Sequence, residues 1–315
     1  MPVAMICCSH SPLMLPGGVS AHDSAAEADI RSGFSEAAAW VKRYDPEAIV
    51  IFNPDHFNCF FFELLPAFCI GVAAKTSRDW KLPSTDLDVP ADLAMALYQS
   101  VRDEGFDPAI SYRMRVDHGV TIPLLNLTPS LTAYPVVPIW INCAGHPRPS
   151  FRRCREFGSA VGRFLARQPQ RVLVIGSGGL SHDPPTPRPG ISPPEELEWF
   201  MEKNQPPQEE LDRREARATK AGIDLANGKG RVMAPNEAWD RRFLELLMNG
   251  EVARCDAFTD DMIDKEAGFG AHEVRTWIAA AAAASVAGAN QRMLDRYRCI
   301  PDWLTGMGIM RAVQG

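Results

Sequence analysis

The sequence predicts an α/β fold: a central, largely parallel sheet with helices layered on both faces. Three observations carry this reading. Four short apolar runs alternate with longer segments of helical spacing, the order of a strand–helix–strand chain. The runs are continuously apolar rather than alternating, as strands covered on both faces require. No internal repeat and no linker divides the 315 residues, so residues 1–315 are expected to form one domain with a large core.

Each element has its own local reason. Residues 3–8 (VAMICC) are apolar throughout and read as the first strand. Residues 25–44 follow with Ile30, Phe34, Ala37, Ala38 and Val41 close to one helical face. AIVIF at 48–52 is the second strand, and 91–104 reads as a helix. After the mixed segment AISYRMRV comes the apolar run 136–141 (VVPIWI), then a helical pattern over 151–168 and a strand at 171–175 (RVLVI). The C-terminal third reads as more helical. Residues 239–249 form one helix stopped by Gly250, and 271–287 another with an acidic first turn. Ahead of both, residues 183–207 hold eight prolines in 25 positions and read as an excursion from the domain, either a surface loop or an active-site lid.

Composition excludes several classes. The 33 basic and 39 acidic residues give a net charge of −6, so no nucleic-acid partner is expected. The eight cysteines contain no CxxC pair and lie largely in apolar runs, which points to reduced, buried thiols. The N-terminus lacks a basic stretch followed by a long apolar one. The longest apolar run, near 277–289, is shorter than the ~20 residues of a membrane span. A cytoplasmic protein without a membrane partner is therefore expected.

The seven histidines are not scattered. His10 follows the first strand by two residues, His56 follows the second by four, and His182 follows the fourth after the turn Gly176-Ser-Gly-Gly179. In an open parallel sheet, residues just beyond the strand C-termini converge on one crevice, so these three are expected to share a site. His118, in Arg115-Val-Asp-His-Gly119, is a candidate fourth member. His22 and His146 read as ordinary turn residues, and His272 stands beside Glu273 at a helix start. Clustered imidazoles suit Fe, Zn, Cu or Ni, and two histidines with one carboxylate form the face of non-haem Fe(II) oxygenases. There is no HExxH zinc motif, Ser181 breaks the GxGxxG pattern at 176–181, and no GxSxG elbow surrounds Ser177 or Ser181.

Several separated motifs together resemble the class III extradiol ring-cleaving dioxygenases. They are Ser9-His10-Ser11-Pro12, Asn53-Pro54-Asp55-His56-Phe57-Asn58, Val116-Asp117-His118-Gly119, Gly176-Ser-Gly-Gly-Leu-Ser-His182 and His272-Glu273 followed by Trp277. The resemblance runs from residue 3 to Trp303 and implies an α/β/α catalytic domain. It implies Fe(II) as cofactor, held by His10, His56 and Glu273, with His118 and His182 outside the ligand set as proton-transfer groups. His182, leaving the glycine turn, is expected to be the proton acceptor and His118 the donor. The implied substrates are O2 and a catechol with a side chain at position 3, with 3-(2,3-dihydroxyphenyl)propionate expected. A catechol with a different side chain, and a metal-binding relative without oxygenase activity, are the rival readings. A homo-oligomer is expected from the family.

Overall fold

Ten strands and nine α-helices are found among the described residues of the computed structural model, which are 3–202 and 206–315. The strands are β1 (Val3–Cys8), β2 (Ala48–Asn53), β3 (Phe68–Gly71), β4 (Ala74–Thr76), β5 (Ala109–Ser111), β6 (Met114–Val116), β7 (Val136–Ile141), β8 (Val172–Ser177), β9 (Gln291–Ile300) and β10 (Thr305–Val313). The helices are α1 (Ser24–Tyr44), α2 (Ala91–Asp103), α3 (His118–Leu127), α4 (Phe151–Leu165), α5 (Pro194–Met201), α6 (Gln208–Ala226), α7 (Glu237–Met248), α8 (Asp260–Glu266) and α9 (Val274–Val286). Residues 203–205 of the proline-rich tract lie outside the described residues.

Eight strands form one sheet in the order β5-β3-β7-β2-β8-β1-β10-β9. Its centre, β7-β2-β8-β1, is parallel. Every residue of these four strands is buried, which is why they read as unbroken apolar runs. Alternate side chains divide between two cores: Val3, Met5 and Cys7 face one, and Ala4, Ile6 and Cys8 face the other. Helices α2, α4, α7 and α9 cover the first face, α1 and α3 the second. The three-layer α/β/α arrangement agrees with the sequence reading.

Two features depart from that reading. The C-terminal third is not only helical, because β9 and β10 form an antiparallel hairpin whose second strand pairs antiparallel with β1. The opposite flank, where β3 meets β7, is also antiparallel. Parallel pairing therefore runs through the centre and returns at the far edge, between β3 and β5. β9 had no apolar run to betray it: RMLDRYR mixes charge and hydrophobe, and eight of its ten residues are exposed or half-buried. The helix expected at 271–287 also begins later, because residues 269–273 form a 3-10 turn and α9 starts at Val274.

The alanine run explains itself by packing. Ala279–Ala284 of α9 are buried, and α9 lies against α4 at Gly158 and Gly162. A Cβ at Gly158 would fall on the Ala279 carbonyl, and one at Gly162 on that of Ala283. Small residues on both helices set this separation, and α9 in turn crosses behind β8 and β1. No helix among the described residues is long and apolar enough to cross a membrane.

Close packing of backbone against backbone leaves Gly158 no room to grow. Gly158→Ala is expected to lower stability by about 1–3 kcal/mol, the usual effect of overpacking. The urea midpoint of unfolding measures it, and an unchanged midpoint would mean that the helices separate freely.

Candidate active site and metal centre

The C-terminal ends of β1, β8 and β2, neighbours in the sheet, deliver the expected histidines to one crevice. His10 leaves β1 through Ser9, whose hydroxyl donates to the Gly306 carbonyl at 3.0 Å while its backbone N–H donates to Gly308. His56 sits in a loop after β2 organised by Asp55, whose carboxyl accepts from the backbone N–H groups of Asn58, Cys59 and Phe60. Burial, with Asp117 nearby, pushes the Asp55 carboxyl up to about 8. His118 is the first residue of α3, and Asp117 caps that helix by accepting from Gly119 N–H at 2.9 Å.

Glu273 stands at the centre. Its Oε1 lies 3.0 Å from His56 Nε2 and 3.6 Å from His182 Nε2, and its Oε2 lies 3.6 Å from His10 Nε2. Gly179 N–H donates to Oε2 at 2.7 Å. The side chain is 6% exposed and makes no capping bond to α9, so it serves the crevice rather than the helix dipole. Burial works against its charge, but His182, His10 and His56 hold the carboxyl well below its usual range.

The far nitrogens of the rings fix which atoms face Glu273. Ser177 spends its one hydroxyl proton on the Gly119 carbonyl, so its oxygen accepts from His10 Nδ1–H at 2.8 Å. Asp117 accepts from His56 Nδ1 at 3.0 Å and from His56 backbone N–H at 2.6 Å. In the neutral tautomers these bonds assign, both Nε2 atoms carry lone pairs towards the Glu273 carboxylate. Burial, opposed in part by Glu273, brings His10 down to about 3 and keeps its ring neutral. Burial lowers His56 too, but Asp117 and Glu273 outweigh it and raise that ring. Two imidazole nitrogens and two carboxylate oxygens converging this way repel unless a cation, a proton on His56 or a metal, lies among them. The set fits a metal ion: two neutral nitrogen donors, one anion, each imidazole braced from behind.

His118 lies close by. Its ring stacks on His56 with centroids 4.0 Å apart, and ring nitrogens of His10, His56 and His118 fall within 4.8 Å of one another. Asp79, Asp117 and His118 form a second group of that kind. His118 Nδ1 and its backbone N–H are both held by Asp79 Oδ2. His182 is packed between Gly179 and Gly270, where any Cβ would strike its ring. The turn leading to it is pinned despite its glycines. Gly178 N–H donates to Cys8, Trp277 Nε1 donates to Gly178, and buried Asp240 accepts from Ser181 N–H at 2.7 Å and Ser181 Oγ–H at 2.9 Å.

The remaining histidines are elsewhere. His22 is 63% exposed and pairs with Asp302, and His146 is exposed near Asp260. His272, though adjacent to Glu273, turns away into a buried set with Asp264 and Arg275. Sequence reasoning missed Asp79, Ser177 and Asp240. Asp117 was legible as the cap in Asp-His-Gly, but Asp79 lies 39 residues from His118 and no local pattern links the two.

All five site residues line one cavity whose other walls are mainly apolar: Phe57, Trp80, Phe200, Phe269, Trp303 and the stretch Pro184–Pro187. The proline-rich tract therefore forms part of the wall. Within it, in α5, Phe200 packs on Phe57 with centroids 4.8 Å apart.

Comparison with known proteins agrees with this geometry. Residues 4–308 match the family model described as the catalytic LigB subunit of aromatic ring-opening dioxygenase. The chain is 44% identical over 312 residues to a protein of Photorhabdus laumondii named 2,3-dihydroxyphenylpropionate/2,3-dihydroxicinnamic acid 1,2-dioxygenase, covering 99% of this chain and 98% of the relative. Proteins of the same name from Paraburkholderia xenovorans and a Rhodococcus species are 45% and 44% identical, each covering 99% of this chain and 98% and 99% of the relatives.

The two carboxylates behind the rings separate by metal titration. Asp117→Ala, which unbraces His56, is expected to weaken divalent-metal affinity about 10–100-fold. Asp79→Ala, whose carboxyl meets His118 and Ser77 but neither His10 nor His56, should leave that affinity in place. Loss of binding on removing Asp79 would put the metal in the Asp79–Asp117–His118 group instead.

Proposed function

The chain belongs to the LigB family of aromatic ring-opening dioxygenases, and on that footing we propose a substrate, a metal and a role for each site residue. The substrate is 3-(2,3-dihydroxyphenyl)propionate or a near relative. Extradiol opening beside the hydroxyls, between the side-chain carbon and its hydroxylated neighbour, gives 2-hydroxy-6-oxonona-2,4-dienedioate. The metal is non-haem Fe(II), held by His10, His56 and Glu273. The observation that carries this reading is the convergence of two lone-pair Nε2 atoms on a buried carboxylate, inside a cavity with apolar walls. Ferrous iron, when bound, supplies the electronic path by which a singlet catechol reacts with triplet O2, both atoms of which enter the product.

The protein's own groups do the rest. His182 Nδ1 bonds to the Leu180 carbonyl at 3.0 Å, and a carbonyl can only accept. The proton therefore sits on Nδ1, and Nε2 is the basic atom that takes a proton from a catechol hydroxyl. His118 differs in its support, because its Nδ1 bonds to the Asp79 carboxylate rather than to a carbonyl. Its Nε2 is then the atom that returns a proton later in the reaction. This supports the division of labour with His182 as acceptor and His118 as donor. The aromatic and proline walls keep water away from the ring as it opens.

Anaerobic loading with Fe(II), followed by O2 and dihydroxyphenylpropionate, should yield the yellow ring-opened product, and a zinc-loaded sample should not. Oxygen uptake that ignores the metal supplied would overturn the iron assignment. Glu273→Ala is expected to abolish both tight Fe(II) binding and turnover. His118→Ala and His182→Ala should each retain iron and lose about 10²–10⁴-fold in turnover. A variant of either histidine that purifies without iron and resists reconstitution would show that histidine to be a ligand.

A further inference from the structure

We infer that Arg214 recognises the terminal carboxylate of the substrate's side chain and makes the cavity selective for catechols that end in an anion. This rests on the catechol reading above and adds the residue that sets its specificity.

Helix α6 turns one face to the cavity, through Leu211, Arg214, Glu215 and Ala218 at helical spacing. Arg214 is held in two ways. Its Nε donates to Glu210 Oε1, one helical turn earlier on α6, at 3.2 Å, and its guanidinium carbon lies 4.2 Å from the centre of the Phe200 ring on α5. Its Nη2 is buried and has no hydrogen-bond partner among the described residues. A buried guanidinium nitrogen left unpaired is costly, and a carboxylate is the group that matches it, by a charge-assisted bond in the plane of the fork.

Charge counting points the same way. Glu210 is shared, since its Oε2 also pairs with Arg213 at 3.0 Å. One carboxylate between two guanidinium groups leaves a positive charge uncompensated. The arginines near the adjoining wall are spent differently: Arg188 pairs with Asp183 and Arg148 with Asp260. Glu215, the acid next to Arg214, accepts from Trp80 N–H at 2.6 Å. Arg217 also lines the cavity, but its side chain is exposed, where an ion pair is worth little. Arg214 is also tied to the metal-binding loop by contact. It stacks on Phe200, Phe200 meets Phe57 edge-on, and Phe57 follows His56. An anion brought into a largely apolar cavity must find a partner there, and Arg214 is the half-buried guanidinium, with one buried unpaired nitrogen, that lines it.

The test compares two substrates of one shape. Values of kcat/KM are measured on Fe(II)-loaded wild type, Arg214→Met, Arg214→Lys and Arg217→Gln, with 3-(2,3-dihydroxyphenyl)propionate and with uncharged 3-propylcatechol. The preference for the propionate is expected to fall about ten- to hundred-fold in Arg214→Met, chiefly through KM for the acid. Lysine, which keeps the charge and loses the fork, should fall between. An unchanged preference, an equal loss on both substrates, or a loss of preference in Arg217→Gln alone would each overturn the assignment. Wild type that opens neither catechol would instead remove the substrate reading on which the assignment stands.

Discussion

A carboxylate buried among histidine rings is the constraint around which this molecule is arranged. Glu273 is nearly inaccessible, and a lone anion at such a place would be strongly disfavoured. It is tolerable because three imidazoles and one backbone N–H are brought to it from separate parts of the chain. His10 comes from the end of β1, His56 from the loop after β2, and His182 and Gly179 from the turn after β8. Glu273 itself ends the 3-10 turn before α9. None of these segments is near another in sequence, so the sheet must form before the site can exist.

The groups behind the rings matter as much as the rings. Ser177, Asp117 and Asp79 each hold the Nδ1 of one histidine and so decide what its Nε2 presents. Ser177 and Asp117 make His10 and His56 lone-pair donors. His118 has a carboxylate behind its Nδ1 and His182 a backbone carbonyl. Four histidines of one residue type thus acquire different chemistry from the acceptor placed behind each.

The outer architecture serves access and selection. The antiparallel hairpin β9–β10 completes the sheet beside β1, and Gly306 and Gly308 at the start of β10 hold Ser9, the residue before His10. The proline-rich tract and the helices after it wall the cavity rather than project from the domain. α6 presents half-buried Arg214 to the cavity, while Arg213 and Arg217 are exposed.

The sequence by itself determined the layered α/β fold, the four central strands to within two residues, and the histidines that share the crevice. It could do so because fully buried parallel strands leave unbroken apolar runs, and because a strand end is a fixed address on an open sheet. The ligand and proton-transfer roles came from a resemblance in motifs, not from spacing. Tertiary structure alone decided the rest. β9 is half exposed and carries no apolar run, so its strand character comes from pairing with β10. The 178–182 turn is glycine-rich but fixed, because Asp240, Trp277 and Glu273 bind its backbone and side chains from afar. The pairing of Asp79 with His118 spans two elements, and a carboxylate's partner across such a gap is set by packing rather than by local sequence.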